Sequence, residues 1–291
     1  MNTALSTMNT AISIFAYTLA VTAASLVFAQ PSGNRLVTPS LLTDTPSVEP
    51  GKPFRVGIAL AVEPGYHIYW KNPGESGQPP EVKWNLPQGY TAGELQWPAP
   101  KKFMVPGAIF NFGYEDTITL LTTITPSPDA ASGDLTSAGI SAEVSWLVCN
   151  DDACLPGEKS VALTVPDSES AKTNAKLLDE AQASIPVASN ASADVLRVHD
   201  AAASDTKQLK VEWKTAPSRI EFFPLDENVK IKQMSVSTNK MSDPPVSTIE
   251  LFAAPVKGQP AEAIAGVLSY QTAEGQRRGV EVTVPANPAS D

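Results

Sequence analysis

Ile140-Ser141-Ala142-Glu143-Val144-Ser145-Trp146-Leu147-Val148-Cys149, then Asn150-Asp151-Asp152-Ala153-Cys154-Leu155-Pro156-Gly157, then Val161-Ala162-Leu163-Thr164-Val165 is the stretch that decides the fold. Ile140, Ala142, Val144, Trp146 and Val148 alternate with Ser141, Glu143, Ser145 and Cys149, and a period of two sorts the sets onto opposite faces of a strand. Cys149 therefore points away from that strand's apolar face. Asn150, Asp151 and Asp152 are turn formers, and Val161, Leu163 and Val165 alternate toward a core again. The reading is a β-hairpin with Cys149 and Cys154 at its mouth.

Similar short runs lie on either side. Residues 54–62, 66–70, 81–84 and 118–124 precede the cysteine hairpin, and 209–213, 219–223, 229–231, 247–252, 263–270 and 280–284 follow it. Pro50-Gly51, Pro64-Gly65 and Asn72-Pro73-Gly74 read as turns that stop a strand. Strand-sized runs at such spacing predict β-sandwiches, and the 26 prolines and 291 residues fit two all-β domains, each with its own core. Residues 168–184 differ: alanines with Leu177, Leu178 and Ala181 at helical spacing predict a short helix ending before Pro186. The chain thus divides into a leader over 1–29, a first sandwich over 36–166, a helical joint over 167–188 and a second sandwich over 193–285. Residues 30–34 and 286–291 are expected to be disordered.

The leader carries an apolar run over 11–29, with Val27 and Ala29 before a cut ahead of Gln30, as an export signal does. Its first ten residues hold no Lys or Arg, so an uncleaved anchor stays open, but either outcome puts the rest of the chain in the envelope, in the periplasm. No second run of membrane length follows. The net charge of -10 opposes nucleic-acid partners, whose binding depends on clustered cations, and disfavours anionic membrane surfaces.

Three chemistries are open to the two cysteines. A structural disulfide is the ordinary use of a pair in an exported protein. Closing a loop this short removes only about 2 kcal/mol of unfolded-state entropy, and a strained or exposed bridge has the higher potential of one that exchanges, so redox exchange competes with the staple. Two thiolates also suit Cu(I). A four-ligand metal site lacks partners, because His67 and His199, the only histidines, are not spaced with the cysteines, and no base for protease chemistry lies nearby. No metal or other cofactor is expected.

Gly65-Tyr66-His67-Ile68-Tyr69-Trp70-Lys71-Asn72-Pro73-Gly74-Glu75-Ser76-Gly77, Trp84-Asn85-Leu86-Pro87, Trp97-Pro98-Ala99-Pro100, Gly113-Tyr114-Glu115 and Trp146-Leu147-Val148-Cys149 through Cys154-Leu155-Pro156 together resemble the periplasmic N-terminal region of the DsbD and ScsB thiol-disulfide interchange proteins. The second half resembles the ScsB branch more loosely, through Gly266-Val267-Leu268 and Arg278-Gly279-Val280-Glu281-Val282. The resemblance implies immunoglobulin-like domains and a protein-disulfide reductase activity. Its partners would be thioredoxin-like envelope proteins, cytochrome c maturation factors among them, and a DsbD-type membrane electron donor. By the same resemblance Cys154 forms the mixed disulfide and Cys149 resolves it, under a cap over 103–112 with Phe110 or Phe112 as shield and Tyr69 nearby. Packing in a core is the competing role for these aromatics. The chain shows neither the family's membrane spans nor a Cys-x-x-Cys motif, so its electrons are expected to come from a separate protein.

Overall fold

Period-two alternation becomes paired strands wherever one face can be buried. The computed structural model describes residues 32–107, 109–130, 133–134, 139–164, 166–203, 206–254 and 263–288. The expected leader over 1–29 lies outside the described residues. Within them the regular structure is almost entirely β, with one α-helix, Ser168–Ser184.

In the first domain the strands Val37–Leu42, Phe54–Val62, Thr117–Pro126 and Tyr90–Ala92 form one sheet in that order, and Cys154–Ala162, Ser141–Cys149 and Glu81–Asn85 another. A third set, Ile68–Gly74, Ile109–Tyr114 and Lys101–Val105, continues the second through a backbone bridge between His67 and Cys149. Ile58, Leu60, Leu120 and Ile124 from the first sheet share a buried core with Val144, Trp146, Val148 and Trp70 from the others, as two packed sheets of an immunoglobulin-like sandwich do.

The second domain is a further sandwich around Leu209, Trp213, Ile249, Leu268 and Val280. Its last strand, Arg277–Pro288, pairs antiparallel with Ala263–Gln271 and then, over its final three residues, parallel with Val246–Ala253. The expectation of disorder over 286–291 is therefore corrected for 286–288. The Asn287 side chain accepts from Lys207 N at 2.7 Å and donates to Lys207 O at 2.9 Å, which closes the sheet. At the other end, Gly33 is buried in a single 3-10 turn against the cysteine hairpin, where a Cβ would stand 2.7 Å from Val148 Cγ1.

Asn72-Pro73-Gly74 lies inside its strand, as its last three residues, rather than in a turn beyond it. The run Ile68–Gly74 continues through it with a register shift between Tyr69 and Gly74. Gly74 takes φ 90° and donates its N–H to Asn72 Oδ1 at 3.0 Å, so the turn chemistry makes a bulge within a strand. Pro50-Gly51 and Pro64-Gly65 are turns as read, with Gly51 and Gly65 in the left-handed region.

The helix is docked on the first domain. Asp167 caps it by accepting from Ser170 N at 2.7 Å. Leu178 is buried with Leu121 and Ala181, and Asp179 pairs with Arg55 at 2.7 Å. The two sandwiches also meet directly: Phe223 and Val267 of the second belong to the buried core of the first.

Candidate redox site

Cys149 ends one strand and Cys154 begins the next, so the two residues are direct cross-strand partners in the register that runs back to Ser141 and Ala162. They form a disulfide with their Cα atoms 4.1 Å apart. Between them Asn150 Oδ1 accepts from Asp152 N at 3.0 Å and from Ala153 N at 2.8 Å, which fixes the tight turn as an Asx side chain does. The local sequence therefore builds the hairpin and its bridge without help from elsewhere.

The surroundings of the two sulfurs are unequal. Cys154 is exposed and Cys149 is 1% exposed. Cys149 does point away from the apolar face of its strand, but a second layer covers it. His67 N donates to Cys149 O at 2.9 Å and Cys149 N donates to His67 O at 2.9 Å, so the segment entering the strand Ile68–Gly74 lies alongside the cysteine. Two residues on, the Tyr69 hydroxyl donates to Cys149 Sγ at 2.9 Å and stands 3.8 Å from Cys154 Sγ. Burial holds the Tyr69 phenol above its ordinary pKa, so it keeps its proton and remains a donor.

The Tyr69 ring has two close neighbours. Gly77, at φ 107°, passes so close that a Cβ there would fall on the ring. The His67 imidazole meets it edge-on with centroids 5.4 Å apart, and Phe103 stacks on His67 at 4.9 Å with planes 12° apart. His67 Nε2 is buried with no hydrogen-bond partner among the described residues. Burial lowers the His67 pKa, against the opposing pull of Glu115 and Asp151, so the ring is held neutral. A cleft of about 430 Å³ runs past His67, Phe103, Met104, Glu115, Asp151 and Asp152, and Met104 beside it is 70% exposed.

Of the residues expected at the site, the structure brings Cys149, Cys154 and Tyr69 together. It places Phe112 edge-on against Phe223 of the second domain at 5.1 Å, and Phe110 under the Lys102 ammonium at 3.8 Å. The segment over 103–112 is a hairpin of Lys101–Val105 and Ile109–Tyr114, and its Phe103 ring stacks on His67, the cross-strand neighbour of Cys149. Sequence reasoning missed Phe103, His67 and Gly77 as individual residues. The available signal was the place of His67 and Gly77 inside the block 65–77 and that of Phe103 at the start of the expected cap over 103–112.

These features agree with what the chain is similar to. Residues 35–166 match the family described as Thiol:disulfide interchange protein DsbD, N-terminal. No curated protein matches at the level of sequence. Among solved structures, the crystal structure of the N-terminal periplasmic domain of ScsB from Proteus mirabilis matches with a TM-score of 0.55 and 18% identity, over 86% of this chain and 92% of that one. That likeness supports the fold across both sandwiches. The CupB6 tip adhesin from Pseudomonas aeruginosa covers 88% of this chain and 99% of that one at 10% identity, but its TM-score of 0.16 carries no weight. Residues 35–166, with the disulfide inside them, thus form a domain of the DsbD N-terminal type.

Proposed function

We propose that the Cys149–Cys154 pair cycles between disulfide and dithiol in the periplasm, passing reducing equivalents from a DsbD-type or thioredoxin-like donor to envelope disulfide proteins. The observation that carries this reading is the asymmetry of the bridge: one sulfur faces solvent, and the other is buried with a phenol donating to it. A donor thiolate attacks Cys154 Sγ, the Cys154–Cys149 bond breaks, and Cys149 leaves as a thiolate that the Tyr69 hydroxyl stabilises. The donor's second thiol then attacks the donor sulfur in the mixed disulfide, which frees Cys154. Two electrons and two protons have entered.

In the forward direction the Cys154 thiolate attacks a client disulfide and releases one client thiol. Cys149 then attacks Cys154 Sγ, re-forms the bridge and releases the second. Cys154 is thus the sulfur that meets partners and Cys149 the one that resolves, with Tyr69, His67 and Phe103 around the buried sulfur.

A Cys149→Ser variant tests the assignment. It leaves an attacking thiol without a resolving one, so disulfide-linked partners should accumulate in cells and be identifiable by mass spectrometry. Their absence would remove the shuttle. A redox titration separates this from a permanent staple: a midpoint between about -270 and -120 mV supports exchange, and one below about -300 mV supports a purely structural bridge in a binding module.

A further inference from the structure

The strand that carries Tyr69 to the disulfide and the hairpin that carries Phe103 onto His67 are both gripped by the second domain. On Ile68–Gly74, Tyr69 reaches the sulfurs while its neighbour Trp70, on the opposite face, meets Phe223 edge-on at 6.1 Å. Asn72, also buried, donates to Pro224 O at 2.8 Å. On the hairpin, Phe103 stacks on His67 while Phe112 packs edge-on against Phe223 at 5.1 Å. At the hairpin's base Arg277 donates to Pro100 O at 3.1 Å, and is itself fixed by Glu221 at 3.2 Å and Ser269 Oγ at 2.8 Å. Phe223 is fully buried and belongs to the first domain's core.

We propose that the second domain is a brace for the redox site, with Phe223 and Arg277 as positioning residues that hold the strands bearing Tyr69 and Phe103 in register over the Cys149–Cys154 bridge. Alternation supplies the lever on Ile68–Gly74, where Tyr69 faces the sulfurs and Trp70 the brace, and in the hairpin Phe112 pairs with Lys102, the neighbour of Phe103 that faces the other side. A ring wedged between Trp70 and Phe112 fixes the spacing of both strands at once. Packed side chains transmit such a constraint because a close-packed core does not deform continuously. The inference rests on the exchange reading only in that the pair must be reducible.

The test is the rate at which dithiothreitol reduces the bridge in the full chain. Phe223→Ala should lower that rate roughly tenfold, because it frees the strand that carries Tyr69 and weakens the hydroxyl's bond to the leaving Cys149 sulfur. Phe223→Leu, which refills part of the space, should recover most of the wild-type rate. Ile249→Val, which perturbs the second core away from the interface, should leave the rate unchanged. Rates for Phe223→Ala within twofold of wild type, or an equal slowing in Ile249→Val, overturn the brace. Should Phe223→Ala fail to fold, Arg277→Gln carries the test by the same criterion. A wild-type bridge inert to dithiothreitol and to a thioredoxin-like dithiol instead overturns the exchange reading, which keeps the two failures apart.

Discussion

The Tyr69 hydroxyl lies 2.9 Å from Cys149 Sγ and 3.8 Å from Cys154 Sγ, so one phenol serves the buried sulfur more closely than the exposed one. Its donated bond gains strength when Cys149 becomes a thiolate, since hydrogen bonds to charged groups contribute about 1.5–3 kcal/mol. Tyr69→Phe should therefore slow reduction of the bridge by a thioredoxin-like dithiol roughly tenfold or more. Thermal stability should change little, and stopped-flow kinetics beside a melting curve checks both.

Gly77 should reproduce that phenotype from a distance. Its backbone at φ 107° leaves no room for a Cβ beside the Tyr69 ring. Gly77→Ala should cost about 1–3 kcal/mol in stability from the backbone conformation alone. It should also displace the ring, so that reduction slows as in Tyr69→Phe. A variant that loses stability but keeps the wild-type rate would show that the ring has another support.

The burial of Cys149 against the exposure of Cys154 predicts an order of modification. In the reduced protein, brief treatment with iodoacetamide should label Cys154 first, as read by peptide mass spectrometry, because reaction requires access to the sulfur. Equal labelling of both would contradict the assigned roles.

His67 predicts a pH dependence. Its pKa in the folded protein is lowered from the ordinary 6.5, mainly by burial, so below that value the unfolded chain binds a proton that the folded one resists. Stability from this group is complete above about pH 6.5 and is lost as the pH falls from there toward the lower folded value. His67→Gln should flatten the decline in denaturation midpoint between about pH 7.5 and 5 relative to wild type. Parallel curves for the two proteins would show that His67 is not the group responsible.

How much of this was legible beforehand differs from element to element. The strand Ser141–Cys149 was readable because one of its faces is buried and the other is not, which writes alternation into the sequence. The outer strand Ile231–Asn239, exposed along most of its length, carries no such pattern and was read only at its first residue. Asn72-Pro73-Gly74 reads as a stop because its residues favour turns, and the strand does end at Gly74, but with all three residues inside it. A strand with a bulge satisfies the same preferences once Ile109–Tyr114 lies beside it.

The sequence by itself determined the two sandwiches, the helix between them and a cysteine hairpin whose register makes the two sulfurs neighbours, since each depends on side-chain periodicity or on a turn of a few residues. Only the tertiary structure decided that Tyr69 reaches the buried sulfur with His67 beside it and Phe103 stacked on His67, and that Phe223, far along the chain, is packed into the first domain's core. Those contacts join residues separated by tens to more than a hundred positions. What sets them is which close-packed arrangement of whole sheets leaves no void, and no local pattern records that choice.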